Sequence, residues 1–430
     1  MKKKDIFLIL APLFYTKLPP LSLAYLSEFL EQKGIGVCCH DLNIQWYRTA
    51  DAADRKEWAK QNNAVFQQKI TREWINYDNP IIIELMKKID HEEPKIIGFS
   101  LFKNNYYPTF KIAALIRSRH PDIPFIFGGP EAQHIERKED KKYADHIIIG
   151  EGECALFDLL QQKGLKAIKR KQEDAELIDI NKVPWPRFRG LDRRCYDNHT
   201  ALPLLMSRGC IRQCAFCSER FLYTKYRCRD PRLLVEEIQH HTQQNGITHF
   251  VFHDSLINGD LARLRAFCEL LIEKEPAISW EAQCCIRPDM VPELFLRMKK
   301  SGCVNLFIGL EAASDPVLRR MNKGFTREEA RMFFERLTAA GLHFEISLIT
   351  HFPGETKKEF EETCAFIKEN KHIIPKIAQI NPFIPYRGTP AAAMFCTADE
   401  KSGLEKMNAL VSLCMEEKIP FTRGYIGNLL

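Results

Sequence analysis

Short apolar runs alternate along this chain with longer stretches whose apolar residues recur every three or four positions. Ile6–Leu10 is an unbroken apolar run, the pattern of a strand buried on both faces. Leu21–Gln32 carries the helical period, Gly34 stops it, and Ile35–His40 reads as the next strand. Ile96–Phe102, Phe125–Phe127 and His146–Ile149 continue the series, and a helix between two of them ends at Arg117–His120, before Pro121. Apolar strands separated by helices predict a parallel, doubly wound α/β sheet with a Rossmann-like arrangement over residues 1–162. The charged, tryptophan-containing stretch Asn43–Glu93 reads as a helical insert in that domain.

Residues 163–200 are rich in charge, contain Val183-Pro184-Trp185-Pro186, and read as a linker. From Leu202 the alternation restarts. Leu202–Met206, Thr248–Phe252, Ser279–Gln283, Val304–Ile308, His343–Ile349 and Lys376–Ile380 are the expected strands, with helices such as Pro231–Asn245 and Lys357–Glu369 in the gaps. Six β/α repeats without a further obvious pair predict an open, partial (β/α)6 barrel over 201–395. Residues 396–430 read as a short C-terminal helical tail.

Composition changes this picture little. The 430 residues are 45% hydrophobic and 27% charged, which is globular and long enough for two or three cores. The net charge of +6 is spread along the chain, so it does not form the basic patch that nucleic acid requires. Met1-Lys2-Lys3-Lys4 before Ile6–Leu10 imitates a signal peptide, but Asp5 interrupts the join and no small-residue cleavage site follows. A buried first strand is expected there, no membrane span is expected anywhere, and fifteen scattered cysteines suit a reducing, cytoplasmic setting.

The cysteines do change the picture at one place. Arg208-Gly209-Cys210-Ile211-Arg212-Gln213-Cys214-Ala215-Phe216-Cys217 spaces three cysteines so that one loop can offer three thiolates to an iron–sulfur cluster. Three ligands leave one iron of a [4Fe–4S] cluster open. Zinc is the competing reading, although it normally recruits a fourth Cys or His, and only Cys228 is close in sequence.

This motif, following the first strand of a β/α repeat, resembles the radical S-adenosylmethionine (SAM) enzymes. The resemblance implies Cys210, Cys214 and Cys217 as cluster ligands, Phe216 beside adenine, SAM on the open iron, and chemistry through a 5′-deoxyadenosyl radical. Polar residues follow the later strands, as an active site at the C-terminal end of a barrel requires. Gly309-Leu310-Glu311, Arg319-x-Met321-x-Lys323-Gly324, Pro353-Gly354-Glu355-Thr356 and Gly388-Thr389-Pro390 resemble the cobalamin-associated branch of that family. Arg287 is the expected fork for the SAM carboxylate, Asp254 or Glu311 for its ammonium or ribose, and Ser347 for a ribose contact. Pro353–Thr356 reads as a turn and helix start. His351 departs from the small or apolar residue usual there and reads as a satisfied loop histidine.

In the N-terminal domain, Pro19–Leu26, Gly128-Gly129-Pro130 and Gly150-Glu151-Gly152-Glu153 resemble the cobalamin-binding domain of the same branch. Gly128, Gly129, Glu151 and Gly152 then line the ligand edge, or simply form tight turns. Where a cobalamin domain with a histidine lower ligand has Asp-x-His-x-x-Gly, this chain has Asp41-Leu42-Asn43-Ile44-Gln45-Trp46, so it offers no imidazole. Ser100, Phe102 and Asn104 are the expected groups on that face. The resemblance implies a [4Fe–4S] cluster, SAM and cobalamin, a small-molecule or peptide substrate, a flavodoxin- or ferredoxin-type electron donor, and methylation of an unactivated carbon. Cobalamin-independent rearrangement, cyclisation or sulfur insertion is the alternative, and a non-catalytic iron–sulfur sensor or scaffold is another.

Overall fold

The computed structural model describes residues 3–58, 64–135, 138–161, 169–170, 177–274, 277–395 and 399–423. They form two compact units that divide between His199 and Thr200. The first unit holds strands β1 (Ile6–Leu10), β2 (Val37–Asp41), β3 (Ile96–Ser100), β4 (Phe125–Gly128), β5 (His146–Ile148) and β6 (Lys169–Arg170). All pair in parallel, in the order β2-β1-β3-β4-β5-β6. This is the doubly wound order whose chain reversal falls between β1 and β3, so a ligand crevice is expected outside their C-terminal ends. β6 is short and was not foreseen, since Lys169-Arg170 has no apolar run to announce it.

The core explains the strand pattern. β1 is buried along its whole length, and Phe7, Ile9, Phe99, Phe125 and Phe127 share one cluster with Trp46. Phe127 stacks between Phe99 and Phe110 with ring centroids 5.0 and 4.9 Å away. The insert is helical over Leu42–Thr49, Ala52–Trp58, Ala64–Lys69 and Pro80–Glu92. Residues 187–198 lie on this unit, tied by the Tyr196 hydroxyl, which donates to Asp41 Oδ2 at 2.7 Å, and by Arg187 beside Glu28.

Thr200 onwards contributes β7 (Ala201–Leu204), β8 (Ser207–Arg208), β9 (Arg227–Cys228), β10 (His249–Phe252), β11 (Ser279–Cys284), β12 (Cys303–Glu311), β13 (Phe344–Thr350), β14 (Ile377–Pro382) and β15 (Phe421–Arg423). Seven of them form one parallel sheet, β15-β14-β13-β12-β11-β10-β7, and β8 pairs with β9 as a separate antiparallel ribbon. The segment expected as a helical tail does form helix Asp399–Glu416, and beyond that expectation it adds the seventh strand at the sheet edge. Among the described residues no helix is long and apolar enough to cross a membrane.

Asn43, which stands at the place where a histidine ligand would be expected, is fully buried. Its Oδ1 accepts from the Phe14 amide at 2.7 Å and the Trp58 indole at 2.9 Å, and its Nδ2 donates to the Tyr15 carbonyl at 3.4 Å. Asn43→Ala strands two buried donors, so unfolding in denaturant should show a loss of about 2–4 kcal/mol. A change below about 0.5 kcal/mol would contradict this role.

Candidate active site

The cysteine loop leaves the sheet through the β8–β9 ribbon, which pinches its two ends together. Gly209 turns the chain with φ +82°, and a side chain there would bring a Cβ within 2.7 Å of the Lys225 carbonyl oxygen. Asp254, just past β10, fixes the loop's base. Its Oδ2 accepts from the Met206 amide at 3.0 Å, and its Oδ1 accepts from the Ser207 amide and, at 2.5 Å, from the Ser207 hydroxyl. Both oxygens expected to meet SAM are therefore spent on the protein. Buried Arg229 adds its own amide to the Met206 carbonyl at 2.8 Å and its guanidinium to Glu237 at 2.6 Å.

The far side of the loop is held with equal care. The Ala215 amide donates to the Met321 carbonyl at 2.9 Å, and the Ala391 amide donates to the Ala215 carbonyl at 3.0 Å. Asn322 donates to the Gln213 carbonyl at 2.9 Å, while Arg212 reaches the Ile286 and Gly324 carbonyls at 2.9 and 3.2 Å. The Arg212 amide also donates to Cys210 Sγ at 3.4 Å.

Cys210 feels the charges of Cys214 and Cys217, and burial pushes its thiol up to about 12 and that of Cys217 to about 11. Iron would displace these protons on binding. Among the described residues no three His, Cys, Asp or Glu side chains converge on a single ion. Three thiols carried by one loop are the donors an iron–sulfur cluster takes, so the donor set fits the cluster. Cys285, at the end of β11, acts electrostatically on Cys210; Cys228, the spare suggested by sequence, pairs with Ser207 in the ribbon instead.

Beside this loop stands a buried group that the sequence only half announced. Glu311 ends β12 in the left-handed region at φ 69°, at a break in the register with β13. Its Oε1 lies 3.5 Å from Lys323 Nζ, and its Oε2 accepts from the Ser347 hydroxyl at 3.0 Å. All three residues are buried. A Cβ on Gly309 would overlap Glu311 Oε1, which explains the glycine in Gly309-Leu310-Glu311. Lys323 Nζ also lies 5.6 Å from the centre of the Phe216 ring, between two of the cysteines in sequence. Burial pulls the Lys323 ammonium down, but Glu311, Cys214 and Cys285 outweigh it and hold its pKa above the usual value. Sequence reasoning quoted Lys323 within a motif and gave it no role; its burial among acids was the missing signal.

Arg287 does not match its expected task. Its guanidinium holds Asp289 bidentately at 2.9 and 2.5 Å and donates to the Asn258 and Gly259 carbonyls at 2.8 Å each. It braces the loop after β11 rather than presenting an open fork. Thr356 caps helix Lys357–Glu369 with a capping box, so Pro353–Thr356 is indeed turn and helix start. Glu355 pairs with Lys406 at 2.7 Å and accepts from the His351 amide at 2.9 Å. His351 Nδ1 lies 3.3 Å from the Ser402 hydroxyl, a satisfied loop histidine.

In the first unit the candidates gather at the C-terminal edge of the sheet. Half-buried Ser100 ends β3, Phe102 stacks near Phe14 at 4.6 Å, and Asn104 follows in a short 3-10 turn. A Cβ on Gly128 would find nothing nearer than 4.0 Å, leaving room for a ligand. Gly129, in contrast, is required by the fold: its φ is +99° and its Cβ would fall 2.7 Å from the Leu101 carbonyl. A Cβ on Gly152 would touch Leu26 at 3.0 Å, and Glu151 is half-buried beside it. His40, the histidine nearest in sequence to Asn43, is pushed down to about 3 by burial and lies 3.1 Å from Lys88 Nζ. The edge thus offers space without a histidine ligand from Asn43's position.

An open parallel β/α sheet with three thiols on its first loop is an arrangement that can carry an iron–sulfur cluster. Residues 204–367 match the model of the radical SAM superfamily, and residues 65–160 match that of the B12 binding domain. The chain belongs to the radical SAM enzymes that carry a cobalamin-binding domain. It is 26% identical over 333 residues to an uncharacterized methyltransferase, PH0819, of Pyrococcus horikoshii, covering 72% of this chain and 70% of that protein. It is 24% identical over 317 residues to the anaerobic magnesium-protoporphyrin IX monomethyl ester cyclase of Rubrivivax gelatinosus, covering 66% of this chain and 56% of the cyclase. In fold it resembles the radical SAM methyltransferase TsrM of Kitasatospora setae, solved with tryptophan and a SAM analogue, at a TM-score of 0.67 and 17% identity over 90% of this chain and 75% of TsrM.

Asp254 generates a pH prediction. Burial pushes its carboxyl up to about 7 from 3.8, against the pull of the Ser207 and Met206 donors. A raised folded-state value means the fold favours the protonated form, so this contribution is full below 3.8 and lost as pH rises through about 7. Thermal unfolding of cluster-free protein should therefore show stability falling between pH ~4 and ~7, and Asp254→Asn should flatten that fall. An equal fall in both proteins would place the titration elsewhere.

Proposed function

We propose that this enzyme is a cobalamin-dependent radical SAM methyltransferase acting on an unactivated carbon of a small-molecule or peptide substrate. The observation that carries this reading is the pairing, in one chain, of a three-thiol loop with a doubly wound sheet whose candidate ligand position holds Asn43 in place of histidine. When bound, the cluster, SAM and cobalamin supply radical hydrogen abstraction and methyl transfer. The chain supplies the rest. Cys210, Cys214 and Cys217 would hold the cluster through three thiolates and leave one iron for SAM. Glu311, already paired with Lys323 and Ser347, lies where the second lone pairs of its oxygens could accept from the SAM ammonium or ribose, and Phe216 would flank the adenine. Phe216, Phe352, Phe383 and Phe395 pack around Ala312, Val317 and Met321, an apolar wall that keeps water from the reacting groups. With Asn43 engaged internally, that position would offer neither amide nor imidazole to a bound cobalamin.

The same reading includes an external one-electron donor of flavodoxin or ferredoxin type, a cytoplasmic setting and no nucleic-acid substrate. Names of relatives support methyl transfer without fixing the acceptor. PH0819 is described as a methyltransferase and the Rubrivivax protein as a cyclase.

Two outcomes are expected. Cys210→Ala, Cys214→Ala and Cys217→Ala should each abolish the visible iron–sulfur absorbance and the release of 5′-deoxyadenosine, because two thiolates do not retain the cluster. Unchanged iron content in Cys214→Ala would reject the ligand assignment. Incubation with methyl-deuterated SAM, reductant and a cell metabolite extract should add one deuterated methyl group to a product seen by mass spectrometry. Deoxyadenosine release with no labelled product in the presence of substrate would favour rearrangement or cyclisation.

A further inference from the structure

We propose that Lys323 sets the reduction potential of the cluster, with Glu311 as its opposing counter-charge. This rests on the reading that the three loop cysteines hold a cluster. Lys323 is only 8% exposed, and its ammonium lies over the Phe216 ring, within the cysteine loop. It acts electrostatically on Cys217 and Cys285 as well as on Cys214. Among the described residues its carboxylate partner is Glu311, at 3.5 Å, longer than a tight charged hydrogen bond.

The surroundings are built around this pair. Gly309 gives up its side chain for it, Glu311 adopts a left-handed backbone to reach it, and Ser347 orients the second carboxylate oxygen. Buried ion pairs contribute little net stability against apolar replacements, so so much local accommodation points to a use other than folding. Met321 and Asn322, just before the lysine, bond to the cysteine loop's backbone and fix the ammonium's place beside it.

The consequence follows from charge alone. Reduction brings one electron from an external one-electron donor onto the cluster and its thiolates, with no bond made or broken. A cation held in a poorly screened site beside them stabilises the reduced state, and a carboxylate destabilises it. Lys323 raises the midpoint potential and Glu311 lowers it. The lysine therefore acts on the cluster as a positioning charge, separate from any contact with substrate.

The test is a redox titration of anaerobically reconstituted full-length protein, followed by electron paramagnetic resonance of the reduced cluster. Lys323→Met should shift the midpoint to more negative potential, Lys323→Arg should hold it near wild type, and Glu311→Gln should shift it to more positive potential. A purely structural pair would move both neutral variants in one direction, and that result overturns the proposal, as does an unmoved midpoint in both. If Lys323→Met fails to load a cluster, Glu311→Gln and Lys323→Arg decide: a positive shift with a conserved Arg value supports it, and no shift in Glu311→Gln overturns it. Wild-type protein that takes up no iron–sulfur cluster would instead reject the reading on which this rests.

Discussion

Three thiols have to be held near one another, yet apart, before any iron is present. A loop free to collapse would gather them into the tetrahedral arrangement that zinc prefers. Here the loop that carries them is held by hydrogen bonds from both sides. The β8–β9 ribbon and Asp254 clamp the loop's base, while Met321, Asn322 and Ala391 clamp its tip. Most of the second unit can be understood as support for those clamps, because they come from segments that follow β7, β10, β12 and β14.

That dependence gives the loop after β12 two tasks. It anchors the cysteine loop through Met321 and Asn322, and it brings Lys323 to Glu311. The glycine at 309, the left-handed Glu311 and the register break with β13 are three local departures from regular structure that serve one buried contact. Strain and buried charge together at the mouth of a β/α sheet are the usual marks of a working site. The first unit follows a different rule: its switch point between β1 and β3 leaves an open edge, and Asn43 is consumed in bracing the chain at Phe14 and Tyr15.

Much of the fold was legible because its signals are local. Helices Leu21–Gln32, Pro231–Asn245 and Lys357–Glu369 begin and end where period, proline and capping residues placed them. Strand limits moved by a residue or more, as with Cys303–Glu311 for the expected Val304–Ile308, because a strand ends where its neighbours stop pairing. Lys169–Arg170 and Phe421–Arg423 have too few residues to show alternation, and only their neighbours make them strands. The site was legible in the same uneven way. Cys-x3-Cys-x2-Cys carries its chemistry in its spacing. Position at a strand end predicted that Asp254 and Arg287 would reach the mouth, but could not tell whether a ligand or the protein would take their hydrogen bonds. Lys323 escaped notice because twelve residues and a turn separate it in sequence from the glutamate it meets.

The central claim is that three protein thiolates hold a four-iron cluster and leave one iron open. Mössbauer spectroscopy of protein reconstituted with 57Fe, before and after SAM is added, tests it most directly. One iron in four should change its isomer shift when SAM binds while the other three keep theirs. Four unchanged irons, or a protein that binds zinc in place of a cluster, would contradict it.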